Sequence, residues 1–297
     1  MPEFRRVSDI GECRRLWEQF SRDSRFFNTW EYRACFYDPK VHELNFIVCT
    51  EGGEPKALLP LWRQKGFSYY EWFGGEFPEC NVFMAEDEKY IPILLNEAPK
   101  DIWLPYIEIS YEKFVEPCEH ESSFIVNLEK YGNSLEGYLA TFNKKHRKNL
   151  KRDMKILADD KKPVLERNRI EDFDRLVELN RQRFSDSSFM ADDAFIAGLR
   201  KLLMLALERG ELEMLSVHID SKPEAVEAAI SKDGTYTVLL GGNNLKISNI
   251  GKYLTLEHIK NAIAKGDKVV DFLADDCGWK KLWNMDEVVW CEYSREP

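Results

Sequence analysis

No apolar run in the 297 residues reaches membrane-spanning length. The opening Met1-Pro2-Glu3-Phe4-Arg5-Arg6 is polar and holds no signal-peptide core, so the expected place of the chain is the cytosol. Positive charge is in deficit, with 42 Lys and Arg against 52 Asp and Glu and a net charge of −10. An acidic chain repels a phosphate backbone at long range, which argues against general DNA binding, although a local basic stretch still suffices for one phosphate group or a tRNA end. No two of the seven cysteines (Cys13, Cys35, Cys49, Cys80, Cys118, Cys277, Cys291) form a C-x-x-C pair. Their number is odd and several lie in apolar runs such as Phe46-Ile47-Val48-Cys49, the pattern of reduced, mostly buried thiols. The five histidines (His42, His120, His146, His218, His258) lie far from any cysteine pair, so no metal site is expected. Also missing are a G-x-x-x-x-G-K-[ST] loop, an H-E-x-x-H pair and a serine on a strand-turn elbow with histidine and aspartate after it.

What is there is enough to build a sizeable core: 44% of the residues are apolar and 13% aromatic, and the length favours about two domains. Ile10, Cys13, Leu16, Trp17 and Phe20 share a helical face, and Trp30 to Phe36 reads as a second, short helix. Strands are expected over Leu44–Thr50 and Lys56–Trp62 around a Gly52-Gly53 turn, then over Phe67–Phe73, Asp101–Ser110 and Ser122–Leu128, with a helix over Glu86–Asn96. At Tyr131-Gly132-Asn133-Ser134 the pattern resets into a helix that breaks near Thr141 or Asn143. A strand over Lys162–Arg169 follows, then helices over Ile170–Phe184 and Ala191–Glu208. Strands come next over Glu211–Ile219, Glu224–Ser231 and Thr235–Leu240, then a helix over Gly251–Lys265 and strands over Lys268–Leu273 and Asp286–Tyr293. The fold class is α/β (α+β), and the first half runs through a shorter version of the element order of the second.

Three stretches could carry chemistry. In Ser248-Asn249-Ile250-Gly251-Lys252-Tyr253-Leu254 the glycine opens a helix, where free backbone N–H groups favour an anion; an isolated glycine there is also an ordinary turn. Asp271 stands inside an apolar strand, which calls for a lysine partner or a loop to cap, or for holding Lys280 or Arg147 in place. Lys280, between Trp279 and Lys281, follows that strand and is suited to a developing negative charge or a phosphate, unless it is simply a surface lysine. The run Lys144-Lys145-His146-Arg147-Lys148-Asn149-Leu150-Lys151-Arg152 is the one strong basic cluster. Arg147 and Lys151, four apart, can clasp a phosphate or form part of a solvated face, and His146 shares a face with Leu139, Phe142 and Leu150, as a packed core histidine would.

The order S-x-x-G-x-x-L, helix, G-x-x-x-x-D-F, short loop, aromatic-K-x-x-W resembles the C-terminal signature of the acetyltransferase-like family of cellulose- and polysaccharide-biosynthesis operons. That family is a branch of the GNAT superfamily and is similar to the Fem-type aminoacyl transferases. The resemblance is clearest from Leu135 to Trp283. It implies two tandem GNAT-like halves, residues 1–130 and 131–297, each a mixed, mostly antiparallel sheet flanked by helices. By its match to the family's conserved lysine, Lys280 is implied to offset an oxyanion or a donor phosphate. Gly251, with Ser248, Lys252 and Arg147, is implied to hold the donor's phosphate. Phe73-Gly74-Gly75-Glu76-Phe77-Pro78-Glu79-Cys80-Asn81 resembles a cleft-lining segment, with Glu79, or water, as the base that deprotonates an amine. Trp279, Asn81, Asp271 and Trp283 are implied to bind the acceptor. Ser248 stands where the common phosphate loop has Gln or Arg, bulky Tyr253 follows Lys252, and Cys80 replaces the usual tyrosine. The implied activity is acyl transfer from acyl-CoA to an amine on a sugar, peptide or cell-envelope precursor, without a metal. Aminoacyl-tRNA is the alternative donor, and an inactive GNAT-like binding module is the alternative without catalysis.

Overall fold

The computed structural model describes residues 2–21, 25–274 and 278–296. The chain divides into two compact units: residues 1–122 with 289–297, and residues 123–288.

In the first unit, β1 (Glu3–Val7) leads into α1 (Ile10–Phe20), α2 (Trp30–Ala34), β2 (His42–Glu51) and β3 (Glu54–Gln64). After these come β4 (Glu71–Trp72), β5 (Met84–Ala85), α3 (Tyr90–Glu97), β6 (Ile102–Glu108) and the start of β7 (Glu119–Asn127). Asp9 starts α1 by accepting a 2.8 Å bond from the Glu12 N–H. β2 and β3 form an antiparallel hairpin whose turn residues, Gly52 and Gly53, both take positive φ (64° and 83°), a conformation glycine adopts without strain. Alternation then loads both faces of the hairpin. Phe46, Val48 and Leu58 pack with Leu16, Trp17 and Trp30, while Ile47, Cys49, Leu59 and Leu61 pack with Ile91, Leu94 and Leu104. The edge strand β1 was not anticipated: its Glu3-Phe4-Arg5-Arg6 is mostly exposed, and it becomes a strand by pairing Val7 with Phe46 across to β2. Of the aromatic run Phe67–Phe73 only Glu71 and Trp72 enter the sheet. Phe67 and Tyr69 spend their rings on each other, and Tyr69 on Trp103.

The second unit takes up the rest of β7. It continues with α4 (Leu135–Ala140), α5 (Lys144–Lys161), β8 (Val164–Arg167), α6 (Phe173–Phe184) and α7 (Asp193–Glu208). Then follow β9 (Leu215–Ile219), β10 (Lys222–Lys232), β11 (Thr235–Asn243), α8 (Ile250–Lys265), β12 (Val269–Ala274) and the start of β13 (Asp286–Arg295). The break near Thr141 is there because Asn143 caps a new helix, accepting from the His146 N–H at 2.8 Å. Within this unit the strands lie in the order β7-β12-β11-β10-β9-β8, all antiparallel except β11 with β12, which α8 connects. These two strands pair only over Thr235–Thr237 with Val269–Asp271, while β11 runs on to Asn243 without β12 as partner. That divergence, with α8 starting just beyond the end of β11, positions the site below. Residues 289–295 of β13 belong to the first unit, where they pair with β6.

Candidate active site

A cleft of about 690 Å³ opens in the second unit. The first ten residues of α5, the end of α6, β10, the end of β11, the first turns of α8 and the Trp279–Trp283 segment line it. Its charged lining side chains are Lys145, Arg152, Arg183 and Lys252 against Asp153 and Glu227. In a chain of net charge −10, this local excess of cations is a focus for an anionic ligand.

The start of α8 faces this cleft with its first turn uncapped. Asn249 precedes it in the left-handed region (φ 70°) and makes no side-chain bond to the helix N–H groups; its Oδ1 accepts from Lys252 Nζ instead, at 3.2 Å. Orphan N–H groups at such a terminus suit an anion. A Cβ on Gly251 would meet nothing closer than Asn243 Oδ1 at 4.0 Å, so the protein's own packing does not demand glycine there. Lys252 also reaches Asp153 Oδ2 at 2.7 Å. That bond, with Arg152 beside it, holds the Asp153 carboxyl below the usual aspartate range.

Glu227 is the acidic group with machinery behind it. It lines the cleft from β10, and its Oε2 lies 3.0 Å from Nε2 of His258, which is fully buried in α8. This contact is off the ideal hydrogen-bond direction, since Nε2 has no well-aligned partner. Behind the imidazole, Asn261 Nδ2 donates to Glu213 at 2.6 Å and to the Tyr236 hydroxyl at 3.2 Å. Burial pushes the Tyr236 hydroxyl well above its ordinary pKa, and its oxygen lies 2.9 Å from His258 Nδ1, fixing the ring with Nε2 toward Glu227. Gly241, directly across the ladder from Glu227, makes room for this carboxylate: a Cβ there would overlap Glu227 Cγ and stand 2.9 Å from the Val226 carbonyl. Gly242 lets α6 approach β11, since a Cβ would come within 2.5 Å of the Asn180 nitrogen.

The residues expected from sequence separate into three groups. Gly251, Lys252, Trp279 and Trp283 line the cleft together, and exposed Ser248 precedes α8 without lining it. Lys280 does not line it. It is 5% exposed, and its ammonium donates to the carbonyls of Phe272 (2.6 Å), Leu273 (2.9 Å) and Ala274 and stands over the Phe124 ring. Asp271 Oδ1 accepts from the Leu273 N–H at 2.8 Å, steadying the irregular end of β12 where Leu273 has positive φ. Arg147 folds back to the carbonyls of Ala140 (2.9 Å) and Phe142 (2.5 Å), closing α4 against α5 and not pointing a guanidinium into the cleft. His146 is not in the core: it is half-buried, its ring 4.6 Å from that of Phe142, on the cleft wall.

Glu79 and Asn81 belong to the first unit. The Asn81 side chain is buried and fully used, accepting from Arg33 (2.7 Å) and donating to Pro105 (2.8 Å) and Pro78 (3.1 Å). Glu79 lies in the field of Tyr106, whose hydroxyl is pushed far up, first by burial and then by Glu79. The segment 275–277 ahead of Gly278 lies outside the described residues.

Sequence reasoning passed over Glu227, Gly241, Arg183 and Asp153. Two of these carried a signal: a glutamate in the apolar run Ala225-Val226-Glu227-Ala228-Ala229-Ile230, and paired glycines inside a strand, which mark close approach.

Residues 144–281, within the second unit, match the family model of the acetyltransferase (GNAT) domain. Solved structures extend the likeness to the whole length. FemX aligns at 12% identity over 98% of this chain and 97% of its own, TM-score 0.59. A tandem GNAT protein from the clavulanic acid biosynthesis pathway aligns at 10% identity over 100% and 99%, TM-score 0.56. L-PGS from Bacillus licheniformis aligns at 11% identity over 97% and 92%, TM-score 0.57. At these identities the likeness is one of fold: two tandem GNAT-like halves. No curated protein matches the chain by sequence. No helix among the described residues is long and apolar enough to cross a membrane.

Proposed function

We propose that the second unit transfers an acyl group from an acyl-CoA thioester to an amine, with Glu227 as the base. The observation that carries this reading is the union, in one cleft, of four cationic side chains, an uncapped helix start and a carboxylate backed by a buried imidazole. Lys145, Arg152, Arg183, Lys252 and the first N–H groups of α8 hold the donor's phosphates. A bond forms between the amine nitrogen and the acyl carbon, the bond from that carbon to sulfur breaks, and Glu227 takes the proton the amine loses. His258 holds the carboxylate in place through the Tyr236–Asn261 chain. Holding both substrates side by side supplies much of the rate. Lys280, its ammonium occupied by carbonyls, shapes the end of β12. The acceptor is an amine-bearing sugar, peptide or envelope precursor.

Isothermal titration with acetyl-CoA and longer acyl-CoAs tests the donor. Heat of binding is expected for the wild type, and affinity at least about tenfold weaker for Gly251→Ala, because the new methyl occupies the approach to the helix start while the free protein has room for it. Silence of the wild type across the whole series would remove acyl-CoA as donor.

A second donor class has one observation in its favour. Lys144, Lys145, Lys148, Lys151, Arg152 and Lys155 are all exposed on α5, a cationic face wider than one phosphate needs. A gel shift with aminoacyl-tRNA at two salt concentrations tests it: salt-sensitive retardation, together with calorimetric silence toward acyl-CoAs, would make tRNA the donor carrier.

A further inference from the structure

The first unit holds a side-chain cluster that the transfer chemistry does not use. Cys118, in the loop before β7, and His120, the second residue of β7, are two apart in an extended stretch, the spacing that sends side chains to one face. Cys291, on β13, comes to the same place from far along the chain. One donor atom from each of the three lies within 4.8 Å of the others, and Cys118 Sγ is 3.9 Å from His120 Nε2. Glu112, from the 3-10 turn over Ile109–Phe114, brings Oε1 to 2.8 Å from that same ring nitrogen.

We propose that Cys118, His120, Cys291 and Glu112 form a zinc site that clips the C-terminal strand to the segment ahead of β7. Two sulfurs, an imidazole and a carboxylate are a donor set for a borderline-soft cation, and four protein ligands make a closed, structural site. In a tetrahedral site the zinc–sulfur and zinc–nitrogen bonds of about 2.3 and 2.0 Å put neighbouring donors roughly 3.5–3.8 Å apart. The donors of Cys118, His120 and Cys291 therefore need to contract by no more than about 1.3 Å, and Glu112 Oε1 needs to draw back slightly from Nε2 to leave room for the ion. The pieces that must move are the ones free to do so: His120 is exposed and Cys118 is partly exposed, whereas Cys291 is anchored in the core with Val115, Ile107 and Leu104. A dication binds the two sulfurs as thiolates by taking the place of the thiol protons.

The test uses the full chain, purified reduced and metal-free. Addition of Zn²⁺ should give one bound ion per chain by mass spectrometry of metals, and a higher melting temperature. Addition of Co²⁺ should give a thiolate-to-cobalt charge-transfer band and the strong visible bands of a tetrahedral site. Cys118→Ser, which keeps the side chain's size at the edge of the core, and His120→Ala, at an exposed position, should each weaken zinc binding by at least about tenfold, while Cys35→Ser leaves it unchanged. Absence of stoichiometric zinc would overturn the proposal. So would binding that survives both variants, or a Cys118–Cys291 disulfide in the isolated protein with no zinc uptake after its reduction. None of these readouts depends on transfer activity.

Discussion

Replacing Lys280 by alanine separates a structural lysine from a catalytic one. In the folded chain its side chain is buried, and its ammonium donates to three consecutive carbonyls at the end of β12 and stands over the Phe124 ring. Hydrogen bonds from a charged donor contribute about 1.5–3 kcal/mol net, and each buried acceptor left without a donor costs about 1–3 kcal/mol more. Some of these carbonyls regain water once the side chain is gone, so Lys280→Ala is expected to cost about 3–5 kcal/mol in total. At roughly 2–4 °C per kcal/mol for a unit of this size, the melting temperature should fall by about 6–20 °C. Lys280→Met loses the same charge and donated bonds but keeps most of the stem's packing, so its fall should be smaller. The assay is calorimetric melting of both variants alongside initial transfer rates at a temperature where each is folded. Per folded molecule, the rates should stay within a few-fold of wild type. A variant that melts with the wild type but turns over at least about tenfold more slowly would refute the structural assignment and return Lys280 to the reaction.

Two further outcomes follow from the geometry. Gly241→Ala should displace the Glu227 side chain, costing about 1–3 kcal/mol of stability and about a hundredfold in turnover, matching Glu227→Gln, which keeps the shape and loses the base. Wild-type rates in Gly241→Ala, read by release of free CoA thiol, would show that Glu227 is not placed by that glycine. In the first unit, burial raises the Glu71 carboxyl from 4.5 to about 7, against a 3.2 Å bond from Trp62 Nε1 that lowers it. A raised carboxyl binds its proton more tightly in the folded state, so its contribution is full below about pH 4.5 and is lost as pH rises through 7, up to about 3 kcal/mol. Glu71→Gln should therefore match the wild type in urea unfolding at acid pH and exceed it at pH 8; equal midpoints at both would contradict the shift.

Much of the site's framework was legible because it rests on local rules. The helix break at Thr141–Asn143, the helix opened near Gly251 and closed at Gly266, and the strand carrying Asp271 all follow from capping, glycine placement and apolar periodicity. Trp279 and Trp283 were picked out with Gly251, and the fold does put all three on one cleft. Arg147 and Lys280 were misread for a common reason: a cation in sequence carries no sign of whether carbonyls or solvent will meet it. Both turned out to be consumed by backbone oxygens. His146 failed differently, since helical spacing reports a shared face but not how deeply that face is covered.

Sequence by itself determined most of the elements and their order, the α/β class and the cationic stretch on α5, because these depend on neighbours within a turn or two of chain; edge strands such as β1 needed a partner to exist. Tertiary structure alone decided which distant side chains share a pocket. Glu227 meets His258 only because β10 and α8 pack together, and Gly241 matters only because the ladder sets it opposite Glu227. Cys291 joins Cys118 and His120 only because the last strand returns to pair with β6 in the first unit. Long-range strand pairing is written in the summed burial of whole faces, not in any local string of residues.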